Sequence, residues 1–425
     1  DNVEDFKIMF LSIQEMISNQ KILAIHDISD GGLITSLLEM CFTKRTGMKL
    51  DLSGIDNVNE YLFSEEIGFV VQVKKDDANQ IKTDLSDKGL IVRNIAHLQE
   101  NNFIVTKDED ELFNEPIIEL EKVWRETSHA IQSIRDNKEV ADSELSLLDD
   151  KSFSGLIANA SFDELQIKDI NIKLSKPKVA ILREQGVNGQ NEMAAAFSLA
   201  GFVATDVHMQ DLLEEKVFLK DFQGMAVCGG FSYGDVLGAG TGWASKILYN
   251  DVVRQNLEEF FHNTNKFSLG VCNGCQMLSQ LKKIIPGTSH WPRLVKNKSN
   301  QFEARLSRIK INKSKSIFFK NMDGSILPVI VSHGEGRAIF SNNLDSKTGI
   351  INYVDGQNKV SMKYPYNPNG SLNGSNGFTN EDGRITILMP HPERLYETSQ
   401  YSHISSEWKI SPWTKFFINA REWLK

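Results

Sequence analysis

A thiol, an imidazole and a carboxylate stand in sequence contexts that would let them work together. Cys272 lies in Phe267-Ser268-Leu269-Gly270-Val271-Cys272-Asn273-Gly274-Cys275-Gln276-Met277-Leu278. A short apolar run ends at a glycine, a cysteine follows, and a helix-compatible stretch opens after the next glycine. The spacing predicts a strand, a sharp turn and a helix with a nucleophile at the tip. A thiol attacks as thiolate, which both a helix N-terminus and a nearby imidazolium favour. The imidazole is expected from Met389-Pro390-His391-Pro392-Glu393-Arg394, where a second short strand ends in a histidine. Pro392 favours an extended path, on which residues i and i+2 face the same side. Glu393 is therefore expected to hold His391 in its working tautomer. An oxyanion formed at Cys272 would meet the N–H of Asn273 and a second donor from the Gly229-Gly230 loop.

Other readings of the same residues stay open at this level. Cys272-x-x-Cys275 at a helix start is also the spacing of a dithiol oxidoreductase. That reading gives no role to the distant His-Pro-Glu. A zinc site is disfavoured because no second Cys/His pair with ligand spacing follows. Cys41, Cys228 and Cys275 sit in apolar contexts that suit buried packing thiols. A protein that kept the fold but lost turnover is a third reading, against which the intact Cys272, His391 and Glu393 stand. Ser332-His333-Gly334-Glu335-Gly336-Arg337 also carries a His and a Glu two apart. Its glycines suggest a flexible loop that could contact a substrate or partner, ranked below His391 and Glu393 for the base.

The elements that must position these groups alternate in type. Val179–Leu182 reads as a buried strand, Asn191–Ala200 as a helix closed by Gly201, and Phe202–Val207 as a strand. Gly224–Cys228 is a strand running into Gly229-Gly230. Helices follow near Trp243–Tyr249 and Val252–Phe261, then the strand Phe267–Val271. This alternation predicts an α/β fold with a doubly wound, mostly parallel sheet, with ligands outside the carboxyl ends of its strands. Upstream, a strand at Lys21–Ile25, a helix at Leu33–Phe42, a strand at Gly68–Val73 and a helix at Asp77–Lys88 describe a separate α+β region. Three parts are expected: residues 1–120, a partly helical connecting segment over 121–176, and 177–425.

Composition excludes several classes. A chain of 425 residues exceeds one ordinary domain. Its net charge of −9 argues against a nucleic-acid partner. No run reaches the roughly 18 apolar residues of a membrane helix, and no signal segment opens the chain. Four cysteines in this length do not make a disulfide framework, so a reducing, cytoplasmic setting is expected. The opening at Asp1, directly into a helical pattern, suggests a piece of a longer polypeptide. Asn369-Gly370-Ser371 and Asn373-Gly374-Ser375 read as a Gly/Asn-rich loop rather than as glycosylation sites.

These motifs also carry a resemblance. Gly270-Val271-Cys272-Asn273-Gly274-Cys275-Gln276 resembles the nucleophile motif of class I triad glutamine amidotransferases, G-x-C-x-G-x-Q, and His391-Pro392-Glu393 resembles their H-P-E element. Ala180–Asn188, Cys228–Gly240 and Ser332–Arg337 are similar to segments of the phosphoribosylformylglycinamidine synthase family in its long single-chain form. Trp124–Ser128 and Arg135-Asp136-Asn137 resemble the stretch joining its synthetase and glutaminase parts. Ile25-His26-Asp27-Ile28-Ser29-Asp30-Gly31-Gly32-Leu33 resembles a marker of its second synthetase-like repeat. From residue types alone, that last segment is a capped helix start. The resemblance implies a glutaminase that attacks glutamine through Cys272, with His391 and Glu393 completing the triad. It also implies oxyanion or substrate contacts at Gly229, Gly230, Asn273 and Gln276. Ammonia would then pass to an ATP-dependent C–N ligase site in an N-terminal synthetase portion of the same enzyme. Asp27 is implied to ligate Mg2+ and Ser29 to contact a bound ATP or ADP. That nucleotide site is implied to be structural, and only half of it falls in this chain.

Overall fold

The computed structural model describes residues 2–150, 155–163, 167, 176–340, 349–402 and 408–424. Part of the expected connecting segment (151–154, 164–166 and 168–175) lies outside them. The chain forms two compact units, Asp1–Ile131 and Gln132–Lys425.

In the first unit, helix Val3–Ser18 precedes β1 (Ile22–Asp27). Helix Gly32–Phe42 and β2 (Gly47–Asp51) follow, then β3 (Phe69–Val73) and helix Ala78–Ser86. The strands β4 (Ala96–Gln99), β5 (Asn102–Lys107) and β6 (Asp110–Pro116) follow, and helix Ile117–Arg135 begins directly after β6. β1 pairs antiparallel with β3, and a four-stranded sheet runs β4-β2-β5-β6. Leu33, Leu37 and Cys41 lie on one face of their helix at spacings of four, the period of an amphipathic helix, and meet Leu50, Phe103 and Val105 in one core.

The second unit is built on a nine-stranded sheet. Its parallel half contains β7 (Lys178–Arg183), β8 (Val203–His208), β9 (Gly224–Val227), β10 (Phe267–Val271) and β17 (Ile385–Leu388). The spatial order is β8-β7-β9-β10-β17, all parallel. Strands β9, β10 and β17 are buried at every position. Burial on both faces explains their near-continuous apolar sequences. The order reverses at β7, so the cleft expected at a switch point opens over the ends of β7 and β9.

Four further strands extend the sheet antiparallel: β12 (Glu303–Ile311), β13 (Ile326–His333), β15 (Ile351–Tyr353) and β16 (Ser375–Thr379). Their order from the edge inward is β13-β12-β15-β16, with β16 against β17. A separate ribbon pairs β11 (Arg293–Val295) with β14 (Arg337–Ile339). Among the described residues, no helix is long and apolar enough to cross a membrane.

Aromatic packing anchors one end of the parallel strands. Phe267, which opens β10, packs edge-to-face on Phe202 and Phe318, with ring centroids 5.7 and 5.6 Å away. Cys272 closes the same strand at the other end. Directly after it, helix Asn273–Gln280 turns back against β9 and β10. A Cβ on Gly274 would lie 2.2 Å from the Val227 carbonyl oxygen, a backbone atom that cannot step aside. Gly274→Ala is therefore expected to lose about 3 kcal/mol or more of stability in urea unfolding. An unchanged midpoint would show that the helix does not press on β9 in solution.

Candidate active site

The turn between β10 and its helix is strained at Cys272. Cys272 has φ 51° and ψ −109°, a sparsely populated conformation for a residue with a Cβ. Such a residue costs on the order of 1–3 kcal/mol and persists only where its surroundings fix it. Its N–H donates to Leu388 O of β17 at 2.9 Å, and its carbonyl accepts from Gln276 N at 2.9 Å. The thiol is 5% exposed and lies 3.5 Å from the Ser332 carbonyl oxygen.

β17 delivers the imidazole. Val271 and Leu388 are register partners, so the two chain ends leave the sheet side by side. His391 is fixed by its N–H, which donates to Ile330 O at 2.8 Å. Its Nδ1 lies 2.6 Å from Glu393 Oε1. Both side chains are buried, at 1% and 0% exposure. The expected reason for this pairing was an extended path through Pro392. Instead, Pro392–Arg394 forms a single 3-10 turn, and the turn swings Glu393 back under the ring.

Three of the expected groups converge on one point. A Cβ placed on Gly229 would sit 2.7 Å from His391 Cε1 and 3.3 Å from Cys272 Cβ. Only a glycine leaves room for imidazole and thiol to meet over the end of β9. The loop is held by Asn188 N and Gly189 N, both donating to Gly229 O at 3.2 Å, and Val187 bridges to Gly230.

The electrostatics suit an ion pair. Burial opposes a charge on His391, but the Glu393 carboxylate and the Cys272 sulfur outweigh it and push the imidazolium up to about 9. Nε2 has no partner at ordinary hydrogen-bond distance, yet it is close enough to the sulfur to gain proton affinity from it. Cys275, one turn along, is fully buried, and burial holds its thiol well above the usual range. The same holds for Cys228. All four cysteines are free.

The Ser332–Arg337 segment is not the flexible loop its glycines suggested. Ser332 and His333 end β13, and His333 is 2% exposed. Burial, with a smaller effect of the His391 charge, pushes His333 down to about 3, so it is neutral. It makes a 3.2 Å hydrogen bond through Nε2 with Asn369 Nδ2. Strand termination and glycine content misled the sequence reading; the apolar run Ile326–Val331 was the signal that a buried strand carries this motif to the cleft.

Asn273 and Gln276 sit in a polar circuit. Asn273 is fully buried, and its Nδ2 donates to Gln276 Oε1 and to Asp235 Oδ1, both at 3.1 Å. Its Oδ1 accepts from Ser232 N at 3.2 Å. Gln276 Nε2 donates to Glu335 O at 2.7 Å, and Glu335 Oε2 accepts from Ala239 N at 3.1 Å. As the first helical residue, Asn273 keeps its own N–H free of an intrahelical acceptor. The turn Ser232–Asp235, unrecognised in the sequence, is left-handed at Tyr233 (φ 54°), Gly234 (φ 62°) and Asp235 (φ 53°).

Asp27 and Ser29 belong to the first unit. Asp27 ends β1 with its side chain 65% exposed and its Oδ1 3.5 Å from His26 Nδ1. Ser29 O accepts from Gly32 N at 2.9 Å, and helix Gly32–Phe42 starts without a side-chain cap. No group of three or more His, Cys, Asp or Glu suited to a metal occurs among the described residues. A single exposed carboxylate fits a Mg2+ that arrives on phosphates, while the Gly31 N–H at the helix start donates to Glu65 Oε1 at 2.9 Å.

Comparison with known proteins follows the two units. Residues 176–424 match the family profile described as a CobB/CobQ-like glutamine amidotransferase domain, and residues 3–108 that of the C-terminal domain of AIR synthase related proteins. Among solved structures, the chain is similar to PurLQS from Thermotoga maritima at 23% identity, covering 59% of this chain and 100% of that one, with a TM-score of 0.46. A T. maritima glutamine amidotransferase is similar at 18% identity, over 52% of this chain and 77% of that one, with a TM-score of 0.32. T. maritima PurL complexed with ATP is similar at 18% identity over 26% of this chain and 20% of that one, with a TM-score of 0.24.

Proposed function

The chain belongs to the CobB/CobQ-like glutamine amidotransferase family, and from that premise we propose that Cys272, His391 and Glu393 form its glutamine-hydrolysing triad. The observation that carries this reading is the convergence of Cys272 and His391 over Gly229, with Glu393 behind the ring.

The geometry supports the following reaction. Cys272 thiolate attacks the side-chain amide carbon of glutamine, and the amide π electrons move onto oxygen. The Asn273 N–H and the Gly229-Gly230 loop stabilise that oxyanion, while Gln276 braces the first helical turn. His391, protonated at neutral pH and held by Glu393, gives its proton to the amide nitrogen. Ammonia leaves and a γ-glutamyl thioester remains on Cys272. The now neutral imidazole takes a proton from water, hydroxide attacks the thioester, and glutamate departs with thiolate and imidazolium restored.

We assign the ammonia to the amidation of formylglycinamide ribonucleotide by the synthetase chemistry of phosphoribosylformylglycinamidine synthase, in de novo purine biosynthesis. The AIR synthase related unit at residues 3–108 supports this reading. The amidation site would lie in the N-terminal synthetase portion of the enzyme, in the cytoplasm. In the first unit, Asp27 would hold Mg2+ and Ser29 would contact a nucleotide phosphate; the ion would neutralise phosphate charge there.

The test is glutamate release from glutamine by this chain, alone and with the N-terminal synthetase portion, ATP and formylglycinamide ribonucleotide. Glutamate is expected in both cases, faster in the second, with amidine formed only in the second. Glutamine left unconsumed in the complete mixture would refute the assignment.

A further inference from the structure

The turn Ser232–Asp235 makes contacts that the triad does not account for. Two of its side chains reach buried anchors on different elements. The Tyr233 ring lies against the Glu184–Lys246 pair: Lys246 Nζ is 5.8 Å from the ring centroid and 2.9 Å from Glu184 Oε2. Glu184 is 2% exposed and follows β7 directly. Asp235 accepts from Asn273 Nδ2 at 3.1 Å. Between these anchors the backbone is left-handed at three successive residues. A run of that kind is unfavourable for Tyr and Asp and holds its shape only while both ends are tied.

Asn273 is the residue on which the turn acts. Its side chain is clamped between Asp235, Ser232 N and Gln276. Its backbone follows the strained Cys272, so a rotation there moves the N–H without moving the sulfur far.

We propose that Asp235 is a positioning residue: through the Asn273 side chain it aims the Asn273 N–H at the oxyanion that forms when Cys272 attacks. This rests on the glutaminase reading above. Asp235 touches no reacting atom. Its effect falls on the transition state, where the oxyanion exists, rather than on the bound amide or on the thiol.

The experiment compares the chain with Asp235→Ala and Asp235→Asn, in the presence of the synthetase portion, ATP and ribonucleotide. Glutamine turnover is read alongside alkylation of Cys272 by iodoacetamide, in which sulfur displaces iodide and no oxyanion forms. Asp235→Ala is expected to lower kcat about 100-fold, the scale of a donor displaced by an ångström, with KM within about threefold. Its alkylation rate should stay within about threefold of the parent. Asp235→Asn keeps an oxygen facing Asn273 Nδ2 and should recover kcat to within about fivefold. Unchanged kcat in Asp235→Ala overturns the proposal. So does a matching fall in alkylation, which would mean that the whole turn at Cys272 had collapsed, or an Asn variant as poor as Ala. If Asp235→Ala does not fold, Asp235→Ser carries the same expectations. A parent protein that alkylates at Cys272 but never consumes glutamine defeats the glutaminase reading itself, and this inference with it.

Discussion

Cys272→Ala is expected to lower glutamine hydrolysis by about 10⁴-fold or more, while Cys275→Ser leaves it within about fivefold of the parent. The two thiols are three residues apart and face opposite fates. Cys272 caps a helix at the meeting point of β9, β10 and β17, beside His391. Cys275 is sealed in the core with its proton held by burial. A dithiol oxidoreductase would lose activity equally with either cysteine. Equal loss on glutamine turnover, with both variants folded by circular dichroism, would overturn the single-nucleophile reading.

Glu393→Gln is expected to lower kcat by about 10²- to 10⁴-fold and to move its pH profile. Burial alone would depress His391; the Glu393 charge reverses this, and the imidazolium persists up to about 9. Without that charge, burial prevails and the proton leaves at lower pH. The alkaline limb of kcat/KM should therefore shift to lower pH. Stability carries the same sign. Because folding raises the pKa of His391, its contribution is whole below the ordinary value near 6.5 and fades as pH rises through about 9. The stability difference between parent and Glu393→Gln, from urea unfolding, should therefore shrink across that window. An alkaline limb that stays in place in the variant would show that Glu393 does not set the charge on His391.

The parallel half of the large sheet was legible because burial on both faces leaves an unmistakable trace: Val179–Leu182 and Phe267–Val271 are short apolar runs closed by turn residues. The antiparallel half was not. Ser375–Thr379 is Ser-Asn-Gly-Phe-Thr, a loop by composition, yet every residue of β16 is buried. Several of its polar groups, and of those nearby, are paired internally: Asn352 Nδ2 donates to Ser375 Oγ at 3.1 Å, Asn376 Nδ2 to Gly374 O at 2.9 Å and Asn369 Nδ2 to Gly336 O at 2.9 Å, while Asn376 Oδ1 has no partner. Patterning rules assign polar residues to water, and a core of paired amides defeats them. Asn369, which stands in a sequon, is fully buried in that network.

The site followed the same division. Cys272, His391 and Glu393 were readable because each closes or follows a strand with a recognisable punctuation. The segments of Ser332, Asp235 and Glu335 were noticed but their contacts were not, since backbone carbonyls and a left-handed turn leave no signature in residue spacing. The His391–Glu393 pairing was anticipated correctly on a mistaken physical reason, an extended path where a 3-10 turn stands.

The pairing of β10 with β17 has a consequence for how the protein is made. His391 comes 119 positions after Cys272 in the chain. At roughly 5–20 residues per second, a ribosome needs about 6–24 s to travel from one to the other. Through that interval the thiol has emerged without His391, and β10 lacks the neighbour that holds the Cys272 N–H. On the proposed triad, reactivity is thus withheld from the nascent chain until nearly all of the sheet has been synthesised. Under the triad reading, chemical competence arrives late in translation, and a chain that ends before β17 carries Cys272 without the imidazole that would activate it.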